Sequence, residues 1–202
     1  CLKRMCENGE DVESLLDAGA DPTALQPGLK CNAFMLAAYF GRSANIAAWL
    51  KPIPTFDLEQ RNFVGQPALH MASMRGDNNL DTVRILADAG ANLHSKIYTG
   101  ATILHASTMN LDLGAEDTLR FYLERVPELL NHQQYCTTTA WKGILLFARF
   151  CARRGSKSRV LQELARWEGD TPLHAAVGNY FNHVVARILC AAPGVELASR
   201  NL

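Results

Sequence analysis

From Gly65 to Asn92 the apolar residues fall into two short helical stripes divided by turn residues. Leu69 and Ala72, three apart, mark the inner face of a first helix that follows Gly65-Gln-Pro-Ala, and Val83, Ile85 and Leu86 mark a second. Met74-Arg-Gly76 makes the turn between them. Gly90 closes the second helix, because glycine takes a positive φ without strain. The same order of signals returns along the chain. Met35, His70, His105 and His174 stand 35, 35 and 69 residues apart, the last gap counting as two periods. Each opens a similar stretch: Met35-Leu-Ala-Ala, His70-Met-Ala-Ser, His105-Ala-Ser-Thr and His174-Ala-Ala-Val. A period near ~34 residues predicts stacked helical hairpins in which each unit touches only its neighbours.

The motifs inside this period carry a family likeness. Gly169-Asp-Thr-Pro-Leu-His-Ala-Ala176, followed by Val184, Val185, Ile188 and Leu189, resembles an ankyrin repeat: a turn glycine, Thr-Pro-Leu-His, then an aliphatic second helix. Gly100-Ala-Thr-Ile-Leu-His-Ala106 with Thr118-Leu-Arg-Phe-Tyr-Leu123 matches well, and Gly65-Gln-Pro-Ala-Leu-His70 ends in Ala89-Gly-Ala-Asn92 as such a repeat does. Asn32-Ala-Phe-Met-Leu-Ala-Ala-Tyr-Phe-Gly41 is a looser copy, with Met35 in the histidine position. Val12-Glu-Ser-Leu-Leu-Asp-Ala-Gly-Ala-Asp21, preceded by Asn8-Gly9, resembles the second half of a repeat. The likeness covers nearly the whole chain. It implies an all-α ankyrin-repeat solenoid of about six stacked helix-turn-helix repeats with short hairpin fingers, at 1–26, 27–61, 62–96, 97–131, 132–166 and 167–202.

One unit departs from the pattern. The grid places a Thr-Pro-Leu-His equivalent near Thr139, where the chain has Cys136-Thr-Thr-Thr-Ala-Trp141. Two helical patterns follow, Ala140 to about Arg154 and Ser158 to Trp167, and the second runs almost onto Gly169. We read 132–166 as a degenerate repeat with a long first helix and a shortened finger; the alternative is a helical insertion.

Composition excludes several classes. The 202 residues carry 20 basic and 20 acidic groups and are 48% hydrophobic, as a folded chain should be. The balance is uneven: 5 basic against 8 acidic groups in 1–60, 6 against 8 in 61–131, and 9 against 4 in 132–202. No apolar run reaches the ~18–20 residues needed to cross a bilayer. The best stretch, Gly143 to Ala148, is broken by Arg149 and reads as a buried helix. The six cysteines have no Cys-x-x-Cys pair and no histidine at ligand spacing, so they read as free thiols in a reducing, intracellular compartment, cytoplasmic or nuclear. A start at Cys1, without an initiator Met, reads as a piece of a longer protein.

Candidate chemistry is sparse. Histidines one repeat apart in a stack lie roughly 10 Å from each other, whereas metal–nitrogen bonds are about 2 Å, so no metal site is expected. What the likeness implies is structural: His70, His105 and His174 each bond backbone or hydroxyl groups near the turns. No nucleophile–base set, Gly-x-Gly-x-x-Gly or phosphate loop occurs, so neither catalysis nor a cofactor is expected.

In this family partners are usually gripped on the concave face, by the finger tips and the exposed concave side of the first helix. On this chain those positions are Leu29, Tyr39, Phe40, Phe63, Val64, Gln66, Met74 and Arg75, then Tyr98, Thr99, Met109 and Asn110, and finally Trp167, Glu168, Asp170, Asn179 and Tyr180. Aromatics, Met and Arg are the residues of interface anchors. The expected function is binding of another protein or peptide by a chain that is monomeric in isolation. The alternative is a recruiting or regulatory module of a larger enzyme, channel or bacterial effector. Separately, Arg149, Arg153, Arg154, Lys157 and Arg159 gather around a turn. They read as a solvated loop or a contact for an acidic peptide, a phosphate or a phosphoinositide, and Arg153-Arg-Gly-Ser156 also looks like a basophilic kinase site. Nucleic acid is not expected as a partner, because the charge is confined to one segment.

Overall fold

The computed structural model describes residues 10–21, 23–51, 53, 56–75, 79–109, 115–178 and 183–197, and among these there are helices, turns and loops but no strand. The chain is an all-α solenoid. A second-type helix comes first, α1 (Glu10–Asp17). Three hairpins follow: α2 (Ala33–Tyr39) with α3 (Ser43–Leu50), α4 (Ala68–Ser73) with α5 (Asn79–Asp88), and α6 (Ile103–Thr108) with α7 (Ala115–Arg125). Then come α8 (Thr139–Arg153) with α9 (Arg159–Arg166), and last α10 (Pro172–Gly178) with α11 (His183–Ala191). The first residues, Asn8-Gly9 and the turn glycine Gly76 lie outside the described residues.

Local chemistry sets the helix starts. Asn32 caps α2, its Oδ1 accepting from the Met35 N–H at 2.7 Å, and Thr138 caps α8 through the Trp141 N–H at 3.4 Å. None of these helices but α8 is long enough to stand alone in water, so stacking must hold them. The inner faces form one continuous core. Phe34, Met35, Leu69, Ile103 and Leu104 come from first helices, and Ile46, Trp49, Val83, Leu86, Leu119, Val185 and Leu189 from second ones. Phe34, Trp49 and Phe56 make an aromatic cluster in which both phenylalanine rings meet Trp49 edge-on and tilt against each other. A buried polar tie joins neighbouring repeats, Ser73 Oγ to Tyr122 Oη at 2.6 Å.

The stacking order corrects the reading of 132–166. Helix α4 packs on α2 and α6, and α6 packs directly on α10; likewise α7 packs on α11. Helices α8 and α9 pack on each other. They form a helical insertion, and the repeat at 167–202 is the spatial neighbour of 97–131.

Hydrogen bonds locate the insertion. In the finger at Asn62, the Asn62 N–H donates to Gln66 O and the Gly65 N–H donates back to Asn62 O. The next finger repeats this with Ile97, Ala101 and Gly100. In the third finger the same pair of bonds joins Gln134 to Asp170 and Gly169 to Gln134, both at 2.9 Å. Two tip residues lie between the bonded positions of an ordinary finger, Phe63-Val64 or Tyr98-Thr99. Here Tyr135 and Glu168 hold those places, and residues 136–167 are inserted between them. Contacts between equivalent loop and finger positions of neighbouring repeats elsewhere span 33 to 35 residues, as in Glu59 to Asn92, His94 to Glu128 and Arg61 to Lys96. Across the insertion, His105 to Asp170 and Asn131 to Glu196 each span 65.

The stretch from Gly143 to Ala148 is also corrected. Of its residues Leu145 and Ala148 are buried, while Ile144, Leu146 and Phe147 are exposed. A lone helical hairpin has one partner, so α8 can cover only one of its two apolar sides.

Candidate functional site

The finger histidines do structural work that depends on the residue three before each. Thr102 N–H and hydroxyl lie 3.3 and 3.0 Å from His105 Nδ1, and Nε2–H donates to Asp170 O at 3.0 Å. That last bond ties one repeat to the next. Thr171 holds His174 Nδ1 the same way, N–H at 3.2 Å and hydroxyl at 2.8 Å. His70 differs from the expectation. Its equivalent residue is Pro67, which has neither N–H nor hydroxyl, and neither ring nitrogen makes a hydrogen bond of ordinary geometry although both are buried. The nearby Ala101 carbonyl favours a proton on the ring but does not offset burial.

Burial holds His70 and His105 neutral, with pKa values lowered from 6.5 to about 3 and about 4. The unfolded chain takes up protons there below pH 6.5 while the folded chain resists until about 4, so stability present at neutral pH is lost as pH falls through that window. His105 alone contributes on the order of 3 kcal/mol to this loss. Denaturant titrations at a series of pH values should show the slope, and His105→Asn should flatten it; an unchanged slope would mean that other groups drive acid unfolding.

The fingers stack edge to edge. Phe63 N–H donates to Leu29 O and Tyr98 N–H to Val64 O, each at 3.1 Å. Phe63, Tyr98 and Tyr135 therefore hold one equivalent position on three successive fingers. Tyr135 was missed by the repeat register, because the split finger hid it inside the aberrant unit. Beside this row, Arg75 stacks over the rings of Tyr39 and Phe40, 5.4 and 5.3 Å from their centroids. Gln66 Nε2 reaches Met74 Sδ at 3.0 Å, joining finger to first helix. Phe40, Phe63, Met109 and Tyr135 are each 44–49% exposed, as is Leu29, while Tyr39, Val64, Gln66, Met74, Arg75 and Tyr98 are half-buried. Thr99 is buried. Asn110, Asn179 and Tyr180 lie outside the described residues.

Trp167 does not continue the fingertip row. It ends α9 at the root of the insertion, where its carbonyl accepts from Gln134 Nε2, and Asp170 sits in the finger itself. Glu168 at the root pairs with Arg149 at 2.9 Å, whose Nε also donates to Ala165 O at 3.4 Å. Arg149 thus braces the insertion and stands apart from Arg153, Arg154, Lys157 and Arg159, which are exposed near the outer turn. Among the described residues, no group of three or more His, Cys, Asp or Glu side chains could hold a metal. No helix among them is long and apolar enough to cross a membrane.

Comparison with known families gives two matches. A model of ankyrin repeats in three copies matches residues 2–97 and 34–132, and a single ankyrin-repeat model matches 168–202. Neither range includes 133–167, the segment that leaves the stack. No curated protein matches the chain.

Proposed function

Because the chain belongs to the ankyrin-repeat family, whose members are generally protein–protein interaction modules, we propose that it binds a partner protein or peptide along its fingertip row and the adjoining first-helix ends. The observation that carries this reading is the alignment of Phe63, Tyr98 and Tyr135 on stacked fingers, beside exposed Phe40 and Met109 and the Arg75 cation. Large apolar side chains in one strip of surface are what a partner's anchors bury. The backbone beneath them is held by finger-to-finger hydrogen bonds, so little ordering cost attends association.

Ankyrin domains are typically non-catalytic, and the buried histidines here are consumed by structural bonds or sealed from solvent. Immobilised protein should capture its partner from a lysate, and a purified pair would give the affinity. Phe63→Ala with Tyr135→Ala should weaken that affinity at least about tenfold, because aromatic anchors dominate such interfaces. The melting temperature should hardly move, since both side chains are exposed. Unaltered affinity in the folded double variant would refute the fingertip site.

A further inference from the structure

The inserted helical hairpin has a composition and a surface unlike the stack that carries it. Residues 136–167 contain 7 basic residues and 1 acidic residue, leaving 13 basic against 19 acidic in the rest of the chain. The hairpin is therefore +6 and the remainder −6 in formal charge. Helix α8 buries Leu145 and Ala148 against its partner and turns a second apolar side outward: Ile144, Leu146, Phe147 and Phe150, with Phe147 60% and Leu146 63% exposed. Spacings of three and four place Phe147 and Phe150 in one stripe with Gly143. Lys142 and Arg153, eleven residues and so about three turns apart, line one edge of that stripe, and Arg154 lies over the Phe150 ring, 4.5 Å from its centroid.

An ordinary surface helix carries polar residues on the side away from its core. This one carries aromatics and long aliphatics, rimmed by cations, on a projecting two-helix ridge. We propose that the hairpin is a peripheral anchor for a bilayer surface rich in anionic phospholipid, with the Phe147 stripe sunk among the headgroups and Lys142, Arg153 and Arg154 on the phosphates. Charge complementarity argues for this occupant, and so does shape. A convex apolar ridge fits a fluid surface that closes around it, whereas a protein partner would need a matching groove. The acidic remainder of the chain is repelled by the same surface, which leaves the fingertip row free to bind. The arrangement lies along the surface and spans nothing. It stands independently of the protein-binding reading.

Sedimentation of the whole chain with vesicles tests it. Phosphatidylcholine vesicles containing phosphatidylserine should bind the chain at low salt, and vesicles of phosphatidylcholine alone should not. Arg153→Gln with Arg154→Gln should weaken binding about 30-fold, as expected for two cations each worth ~1 kcal/mol near such a surface. Phe147→Ala with Phe150→Ala should weaken it at least about tenfold through lost apolar contact. Both pairs are exposed, so neither variant opens a core. Absence of binding to the serine-containing vesicles overturns the proposal. So does binding that survives loss of both phenylalanines, which would be plain electrostatic adsorption. Retention on immobilised polyglutamate without vesicle binding also overturns it, assigning the face to an acidic protein.

Discussion

Excision of residues 136–167, joining Tyr135 to Glu168, is expected to leave a folded stack that melts cooperatively. The two residues so joined occupy the tip positions of a finger whose bonded frame, Gln134 with Gly169 and Asp170, is already complete without the insertion. The apolar core is also continuous across it, since α6 meets α10 and α7 meets α11. What is lost is the Arg149–Glu168 pair and the contacts of Thr137 with the Tyr98 carbonyl at the root. A loss of ~1 kcal/mol corresponds to about 2–4 °C in a chain of this size, and the midpoint should move by no more than a few degrees. Far-ultraviolet circular dichroism should lose only the signal of α8 and α9. Loss of cooperativity, or a midpoint lowered by tens of degrees, would show that 132–166 bears load as a repeat. The excised chain should also lose its binding to anionic vesicles.

The largest single-residue effect is expected at Gly100. Its φ is +85°, where a side chain is strained by about 1–2 kcal/mol. Its missing Cβ would also overlap Tyr135 backbone, 2.5 Å from the nitrogen and 2.7 Å from the carbonyl carbon. A backbone held in a finger cannot step aside as a flexible side chain can. Gly100→Ala should therefore cost about 3 kcal/mol or more, a midpoint lowered by roughly 6–12 °C. Gly90 supplies the control. It has a similar φ of +94° but nothing within 4 Å of an added Cβ, so Gly90→Ala should show the conformational strain alone, about 1–2 kcal/mol. Equal losses at the two glycines would mean that close docking of the third finger on the second contributes nothing. Gly65, whose Cβ would lie 2.8 Å from the Tyr98 nitrogen, should resemble Gly100.

Much of this surface was legible from residue order. The spacing from each histidine or Met35 leads to Tyr39, Met74 and Met109 at equivalent ends of first helices, and from each turn glycine to Phe63 and Tyr98. His70 could have been read more closely: proline three residues before it cannot supply the bonds that Thr102 and Thr171 give to His105 and His174. Tyr135 carried no such marker. Its turn glycine is Gly169, in a different part of the sequence, and only the Gln134–Gly169 bond brings the two together. Arg149 likewise looked like one more cation of the basic turn, and its pairing with Glu168 follows from the hairpin folding back on itself.

The sequence by itself determined the units: where helices start, which side of each is apolar, where a glycine is needed and which residues sit at the finger tips. These are local matters, decided by a period, a cap and a turn. It also produced a false regularity, because the 32 residues from 136 to 167 are close to one repeat in length and carried the grid through to His174 without a break. Only the tertiary structure decided which units are neighbours. Periodicity counts residues along the chain. Adjacency in a solenoid is fixed by apolar faces that bury one another and by finger backbones that exchange hydrogen bonds, here between residues 65 apart.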